Sequence, residues 1–283
     1  MSLPQPPPRQ VPYPLPHPLT QAQHVTSRDN PLLKELRKLA SDGAAYRKTG
    51  RVWLEGEHLC SAYLARGLQP GIAIISESKQ ALAQGNAAQA APKIIVIPDA
   101  LMADISPLGS LAGMGYVCAL PQGGTLQPHS ATLVLDRLQD PGNVGSILRS
   151  AAAFGFAQVL ALKGCVALWS PKVVRAGMGA HFGLHLVEAA TLDDVAQLTL
   201  PLAVTSSHTG QYLHQLAASR TLPAQLNWAL GHEGQGVCAE LTGMAQLHVR
   251  IAQPGGEESL NVAAAAAICL HASAAMQVAV DKG

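Results

Sequence analysis

Ile251-Ala-Gln-Pro-Gly-Gly-Glu-Glu-Ser-Leu-Asn-Val-Ala-Ala-Ala-Ala-Ala-Ile268 decides how the chain is read. It continues an apolar strand, Leu247–Ile251, turns at Pro254-Gly255-Gly256, and enters a run of alanines. Alanine has the highest helix propensity of the residues, so a helix follows the turn. Glu257, Glu258 and Ser259 crowd its expected first turn. A strand, a glycine turn and a helix start bearing hydroxyl and amide groups make a place to hold a polar ligand. An ordinary capped helix would look the same locally.

Two earlier stretches repeat that layout. Asp140-Pro-Gly-Asn-Val-Gly-Ser-Ile-Leu-Arg149 follows the continuous apolar run Ala131–Leu135, and Gly231-His-Glu-Gly-Gln-Gly236 follows Trp228–Leu230. Runs that are apolar throughout suit parallel strands buried on both faces. Between them the pattern alternates: helix 143–154, strand 159–162, helix 171–177, strand 202–205, helix 212–217, strand 228–231, helix 237–241 and strand 247–251. This predicts an α/β domain over residues 131–283, doubly wound on a mostly parallel sheet. Ligands of such sheets sit beyond the C-terminal strand ends, where all three polar motifs lie.

Working back towards the N-terminus, residues 121–130 are rich in breakers and read as a linker. Residues 26–120 read as a smaller α/β unit with strands near 52–56, 72–76, 94–97 and 115–120 and helical segments at 58–65 and 79–88. Asn30-Pro31 starts a helix whose Leu32, Leu33, Leu36 and Leu39 recur at helical spacing. From Arg28 to Arg51 seven basic residues stand against three acidic ones, in a chain whose net charge is only +1. A nucleic-acid partner would therefore meet a local basic face rather than global charge, and a solvated helix face is the plainer reading. Residues 1–25 carry eight prolines and read as an unstructured tail.

Other chemistries find little support. The five cysteines are scattered with no CxxC pair, and the eleven histidines show no HExxH, so no metal site is expected. Gly231–Gly236 lacks the GK[ST] ending of a P-loop and fits no GxGxxG fingerprint. Ser259 lies in Glu-Glu-Ser-Leu-Asn rather than in a nucleophile elbow. No apolar run approaches the ~20 residues that span a bilayer, so neither a membrane nor an export signal is expected and a cytoplasmic place is.

Taken together, Asp140–Gly155, Leu230–Gly236 and Ile251–Ile268 with Ser259-Leu260-Asn261 resemble the SpoU/TrmH-type RNA ribose 2′-O-methyltransferases, across roughly residues 131–275. Ser170–Phe182 also looks like a segment of that family, and the unit beginning at Thr26 is similar to the RNA-binding domain often fused to it. The resemblance implies a trefoil-knotted C-terminal domain, S-adenosylmethionine as cofactor, rRNA or tRNA rather than DNA as partner, and a homodimer in which one subunit completes the other's site. By position it places Gly231, Ile251 and Leu260, with Thr205 near the adenosine, on the cofactor. It places Asn143, Arg149, Glu233, Ser259 and Asn261 at the polar catalytic positions. Arg149 is left as either the base or a phosphate clamp, because arginine is effectively always protonated. His232 and Ala252 depart from the family's commoner residues without removing a functional group. The alternatives are a knotted methyltransferase acting on a base and a catalytically silent RNA-binding or assembly protein.

Overall fold

The computed structural model describes residues 21–106, 113–121, 125–206, 208–255 and 260–280. The chain divides into two compact units, one ending at Pro121 and one beginning at Gln122. Ser259 lies outside the described residues, as does the tail before residue 21.

The first unit runs β1 (Gln23–His24), α1 (Pro31–Ser41), α2 (Ala45–Thr49), β2 (Arg51–Glu55), α3 (Glu57–Ala65) and β3 (Ile72–Ser76). A 3-10 segment (Glu77–Gln84) follows, then α4 (Asn86–Gln89), β4 (Ile94–Ile97), α5 (Asp99–Ile105) and β5 (Met114–Ala119). Its five-stranded sheet has the order β1-β4-β3-β5-β2, with β5 antiparallel to both neighbours. Gln23–His24 pairs in parallel with Ile95–Val96, so the sheet begins inside the segment expected to be tail. The helix expected at 79–88 is a 3-10 segment and a short α-helix, with Gly85 between them. In α1, Asn30 caps Leu32 N–H at 2.9 Å, Pro31 occupies the first turn, and Leu33, Leu36 and Leu39 are buried.

The second unit runs β6 (Thr132–Leu135), α6 (Pro141–Ala153), β7 (Gln158–Leu162), α7 (Pro171–Gly177), a 3-10 turn (Ala180–Gly183), β8 (His185–Ala190) and α8 (Leu192–Ala196). It continues with β9 (Leu202–Thr205), β10 (Gln211–Tyr212), α9 (Leu213–Ala218), β11 (Asn227–Leu230), α10 (Ala239–Met244), β12 (Leu247–Arg250) and α11 (Val262–Val280). All seven strands are parallel, in the order β10-β12-β9-β11-β6-β7-β8. The chain winds outwards from β6 to β8 and then crosses to β9 on the other side of β11, so a crevice opens at the C-terminal ends of β6, β11 and β9.

The central strands carry the apolar character that this requires. Leu133, Val134, Leu135, Val159, Leu160, Trp228, Ala229 and Leu230 are all fully buried. Each large side chain removed from water in this way contributes about 1.5–3 kcal/mol. Polar atoms at the strand starts are paired rather than exposed: Asn227 Oδ1 accepts from Thr132 N at 3.0 Å, and Gln158 Nε2 donates to Thr132 Oγ1 at 2.8 Å. Gln158 Oε1 also accepts from Gln127 N at 2.8 Å, and Thr199 N donates to Pro128 O at 3.0 Å. These bonds tie part of the expected linker into the second unit.

Two helix packings are set by individual residues. Trp228 Nε1 donates to Ser273 Oγ at 2.9 Å, which holds α11 over β11. Gly145 lies where α6 meets α7, and a Cβ there would strike Ala176 and the Gly177 nitrogen. Glycine is the residue that permits this close crossing.

Candidate functional site

α6 starts two residues earlier than the sequence reading placed it. Asp140 is the N-cap, accepting from Asn143 N at 2.6 Å, with Pro141 at the first helical position. Asn143 is therefore not a cap. It sits in the first turn with its side chain free to reach other elements, and it reaches two of them.

Asn143 Nδ2 donates to Glu233 Oε1 at 3.3 Å, and Asn143 Oδ1 accepts from Asn261 Nδ2 at 2.9 Å. Asn261 in turn caps α11: its Oδ1 accepts from Ala263 N at 2.9 Å and Ala264 N at 3.3 Å. Three motifs separated by up to 118 residues thus meet in one chain of side chains, Glu233–Asn143–Asn261, ending on a helix N-terminus. The carboxylate fixes the direction of the chain. It can only accept, so Asn143 turns its amide nitrogen to Glu233 and its oxygen to Asn261.

Arg149 is not part of this cluster. It is exposed and makes no hydrogen bond or ion pair with a described residue. Six residues along a helix carry it about 9 Å down the axis and about 120° round it from Asn143. Within one chain the two therefore do not lie on the same face of α6.

The residues expected on the cofactor gather at the ends of neighbouring strands. Thr205 ends β9 and its hydroxyl donates to Ala229 O at 3.4 Å. Gly231 follows β11 and Ile251 follows β12. Leu260 precedes Asn261 and is a large apolar side chain left 39% exposed. The glycine at 231 has a local reason. A Cβ there would run into the backbone of Gly236 and Val237, because the loop folds back on its own entry strand.

That fold-back is held by residues the sequence reading passed over. His232 O accepts from Gly236 N at 2.8 Å, and His232 Nδ1 accepts from Gly234 N at 3.0 Å. His232, read from sequence as a neutral departure, is the pin of the loop. On the other side Asp136, only 2% exposed at the end of β6, grips Arg137 through two bonds of 2.9 and 3.1 Å. Its Oδ2 also accepts from Cys238 N at 2.7 Å. Arg137 Nη1 then donates to Gln235 Oε1 at 2.8 Å. Hydrogen bonding to Asp136 holds the Arg137 guanidinium above its ordinary pKa, and burial pushes the Cys238 thiol up. A charged pair directly after an apolar strand, Leu135-Asp136-Arg137, was the available signal.

Two polar atoms near Ile251 have no described partner although they are buried: Arg250 Nε and Gln253 Oε1. Buried polar atoms are almost always paired, so the Gln253 acceptor is open to a donor from outside the described residues. Among the described residues no cluster of three His, Cys, Asp or Glu side chains converges as a metal site would require. No described helix is long and apolar enough to cross a membrane.

The pattern of the SpoU rRNA methylase family matches residues 130–271, the span that carries this cluster. The chain belongs to that family. Its reaction class is the family's, methyl transfer to RNA. Beyond the family span, the chain is 32% identical over 269 residues to an uncharacterised tRNA/rRNA methyltransferase from Synechocystis, covering 90% of this chain and 95% of that protein. A solved RNA 2′-O ribose methyltransferase superposes with a TM-score of 0.74 at 28% identity, covering 90% of this chain and all of that one. An rRNA methyltransferase from Sinorhizobium meliloti, solved with S-adenosylmethionine bound, shares the fold with a TM-score of 0.75 at 23% identity, covering 89% and 97%.

Proposed function

We propose that the chain transfers a methyl group from S-adenosylmethionine to a ribose 2′-hydroxyl of rRNA or tRNA. The observation that carries this is the Glu233–Asn143–Asn261 relay, set beside the loops after β9, β11 and β12. The family membership and the resemblance to a ribose 2′-O-methyltransferase support it.

The residues present fit the cofactor. Thr205, the backbone at Gly231 and Ile251, the exposed Leu260 and the orphaned Gln253 Oε1 offer polar atoms for an adenosine and an apolar surface for a thioether chain. S-adenosylmethionine supplies an electrophilic methyl on a cationic sulfur, so the protein contributes alignment, proton handling and water exclusion. Asn143 and Asn261, locked by their mutual bond and by Glu233, orient the ribose. Ser259 stands between Leu260 and the acidic pair in sequence and is assigned to the same task.

Arg149 acts on negative charge. Its planar fork suits a phosphate held by two bonds and a developing alkoxide beside it. Its distance along α6 from Asn143 favours work in the site of a second copy, so the enzyme is read as a homodimer with shared sites. Met178, Ile268 and Val278, large apolar side chains left 42%, 41% and 53% exposed, are the residues such a dimer would cover. The trefoil knot of the family is part of the same reading, and a crystallographic trace through 251–270 decides it. A cytoplasmic place fits this substrate class.

In the first unit the basic stretch is partly self-neutralised. Lys34 pairs with Asp29 at 2.8 Å, Arg51 with Glu35 at 3.2 Å, and Arg28 with Asp104 at 3.0 Å. The exposed Lys38 and Lys48 are then better RNA contacts than the paired Lys34. The reading as a whole is tested by following a labelled methyl group from the cofactor into RNA and identifying the atom that receives it. Label on a base would support the alternative of a base methyltransferase, and cofactor binding without transfer would support a silent assembly protein.

A further inference from the structure

A second concavity opens beyond the C-terminal ends of β6, β7 and β8. Its volume is about 540 Å³, inside the range of small-ligand sites. None of the residues assigned to the cofactor or to catalysis lines it. Its walls are apolar where Leu162, Ala190 and Leu192 face it, and charged where Lys163, Asp193 and Glu240 do.

The 231–238 loop joins this cavity to the site already described. Glu233 reaches Asn143, while Gln235 and Cys238 bond the Arg137–Asp136 pair that belongs to the cavity wall. One loop is therefore fixed at two points, one on each site.

The charge of the lining says what enters. Asp136 and Arg137 neutralise each other through their paired hydrogen bonds. That leaves one cation, Lys163, against two carboxylates, Asp193 and Glu240, all three exposed. A net negative lining disfavours phosphate, which argues against the RNA backbone as the primary occupant. Carboxylates accept from N–H donors on a base edge, an ammonium donates to a base carbonyl or ring nitrogen, and an apolar wall packs against a flat ring.

We propose that this cavity binds an unpaired nucleobase bearing an exocyclic amine, a second reading site on the RNA distinct from the methylated ribose. Its biological occupant, an extruded base of the substrate, rests on the reading of the chain as an RNA methyltransferase. The cavity chemistry does not. Base-edge recognition here gives the enzyme sequence preference near its target without a further domain, and the shared loop couples that recognition to the position of Glu233.

The test uses the intact protein with S-adenosylhomocysteine present, so that adenosine does not compete for the cofactor loops. Guanosine, adenosine, cytidine, uridine and ribose 5-phosphate are titrated while the methyl NMR signals of Leu162, Ala190 and Leu192 are followed. The three amine-bearing nucleosides shift these signals, and uridine, whose edge carries a single imino N–H and no amine to reach the second carboxylate, binds about tenfold more weakly. Ribose 5-phosphate leaves the signals in place. The double variant Asp193→Ala/Glu240→Ala, altered only at exposed positions, brings the amine-bearing nucleosides down to the level of uridine. No shift with any nucleoside overturns the proposal. So do equal shifts with uridine or ribose 5-phosphate, or binding untouched by the double variant. Failure of methyl transfer would bear on the proposed reaction alone, because the nucleoside shifts are read without it.

Discussion

Asn261 performs two tasks with one side chain. Its oxygen caps α11 and its nitrogen holds Asn143 in the relay. Asn261→Ala removes both, so it should lower stability by ~1 kcal/mol through the missing cap and abolish most methyl transfer. Asn261→Asp keeps a good cap but sets a carboxylate against the Asn143 oxygen. It should fold as stably as the parent and still transfer poorly. Thermal unfolding and single-turnover transfer, measured side by side, separate the two tasks. Full activity in Asn261→Asp would show that the donor to Asn143 is unimportant. At this scale the sequence picked out polar residues that the fold brings together, Asn143, Glu233 and Asn261, because the motifs are local. It started α6 at Asn143 although Pro141 already marked Asp140 as the N-cap. It could not show Arg137 meeting Gln235, a pairing between residues 98 apart that depends on how the sheet is ordered.

Elements were legible where burial is two-sided. β6, β7, β9 and β11 are apolar but for one polar end residue each, and came out within a residue of the observed ends. β8 was missed because it is an edge strand with only Leu186 and Ala190 buried, and its sequence shows no continuous apolar run. The 3-10 turn before it carries a buried histidine. His181 is 2% exposed, its Nε2 donates to Leu168 O at 2.8 Å, and its Nδ1 has no described partner. Burial lowers its pKa from 6.5 to about 4. The native state therefore holds a neutral ring, and the unfolded state takes up a proton first as pH falls. The stability associated with the neutral ring is present above about pH 6.5 and is lost as pH falls towards about 4, on the order of 3 kcal/mol over the full window. Urea unfolding at pH 7.5 and pH 5 should show this loss in the parent and a smaller one in His181→Phe. Equal pH dependence in both proteins would show that the ring is protonated freely in the fold.

At the scale of the molecule the question is what one chain lacks. The relay is assembled within a chain, yet Arg149 lies outside it, as a spacing of six residues on one helix already implies. Mixing Arg149→Ala with Asn143→Ala subunits decides where Arg149 works. If sites are shared, each mixed dimer regains one intact site, and random mixing restores about a quarter of parental activity. If Arg149 serves its own chain, every site stays defective and mixing restores nothing. RNA affinity should depend on the first unit: Lys38→Ala/Lys48→Ala should weaken binding and reduce the salt slope by about 1 for each phosphate no longer neutralised. An unchanged slope would leave those lysines as solvated surface.

The central claim is that a methyl group reaches a ribose oxygen. The direct measurement is incubation of the intact protein with methyl-labelled S-adenosylmethionine and unmodified rRNA and tRNA, followed by alkaline hydrolysis. A 2′-O-methyl group blocks attack on the adjacent phosphate, so the account predicts label confined to alkali-resistant dinucleotides and absent with Arg149→Ala. Label released in base-methylated mononucleotides, or no label on RNA from a protein that binds the cofactor, would contradict it.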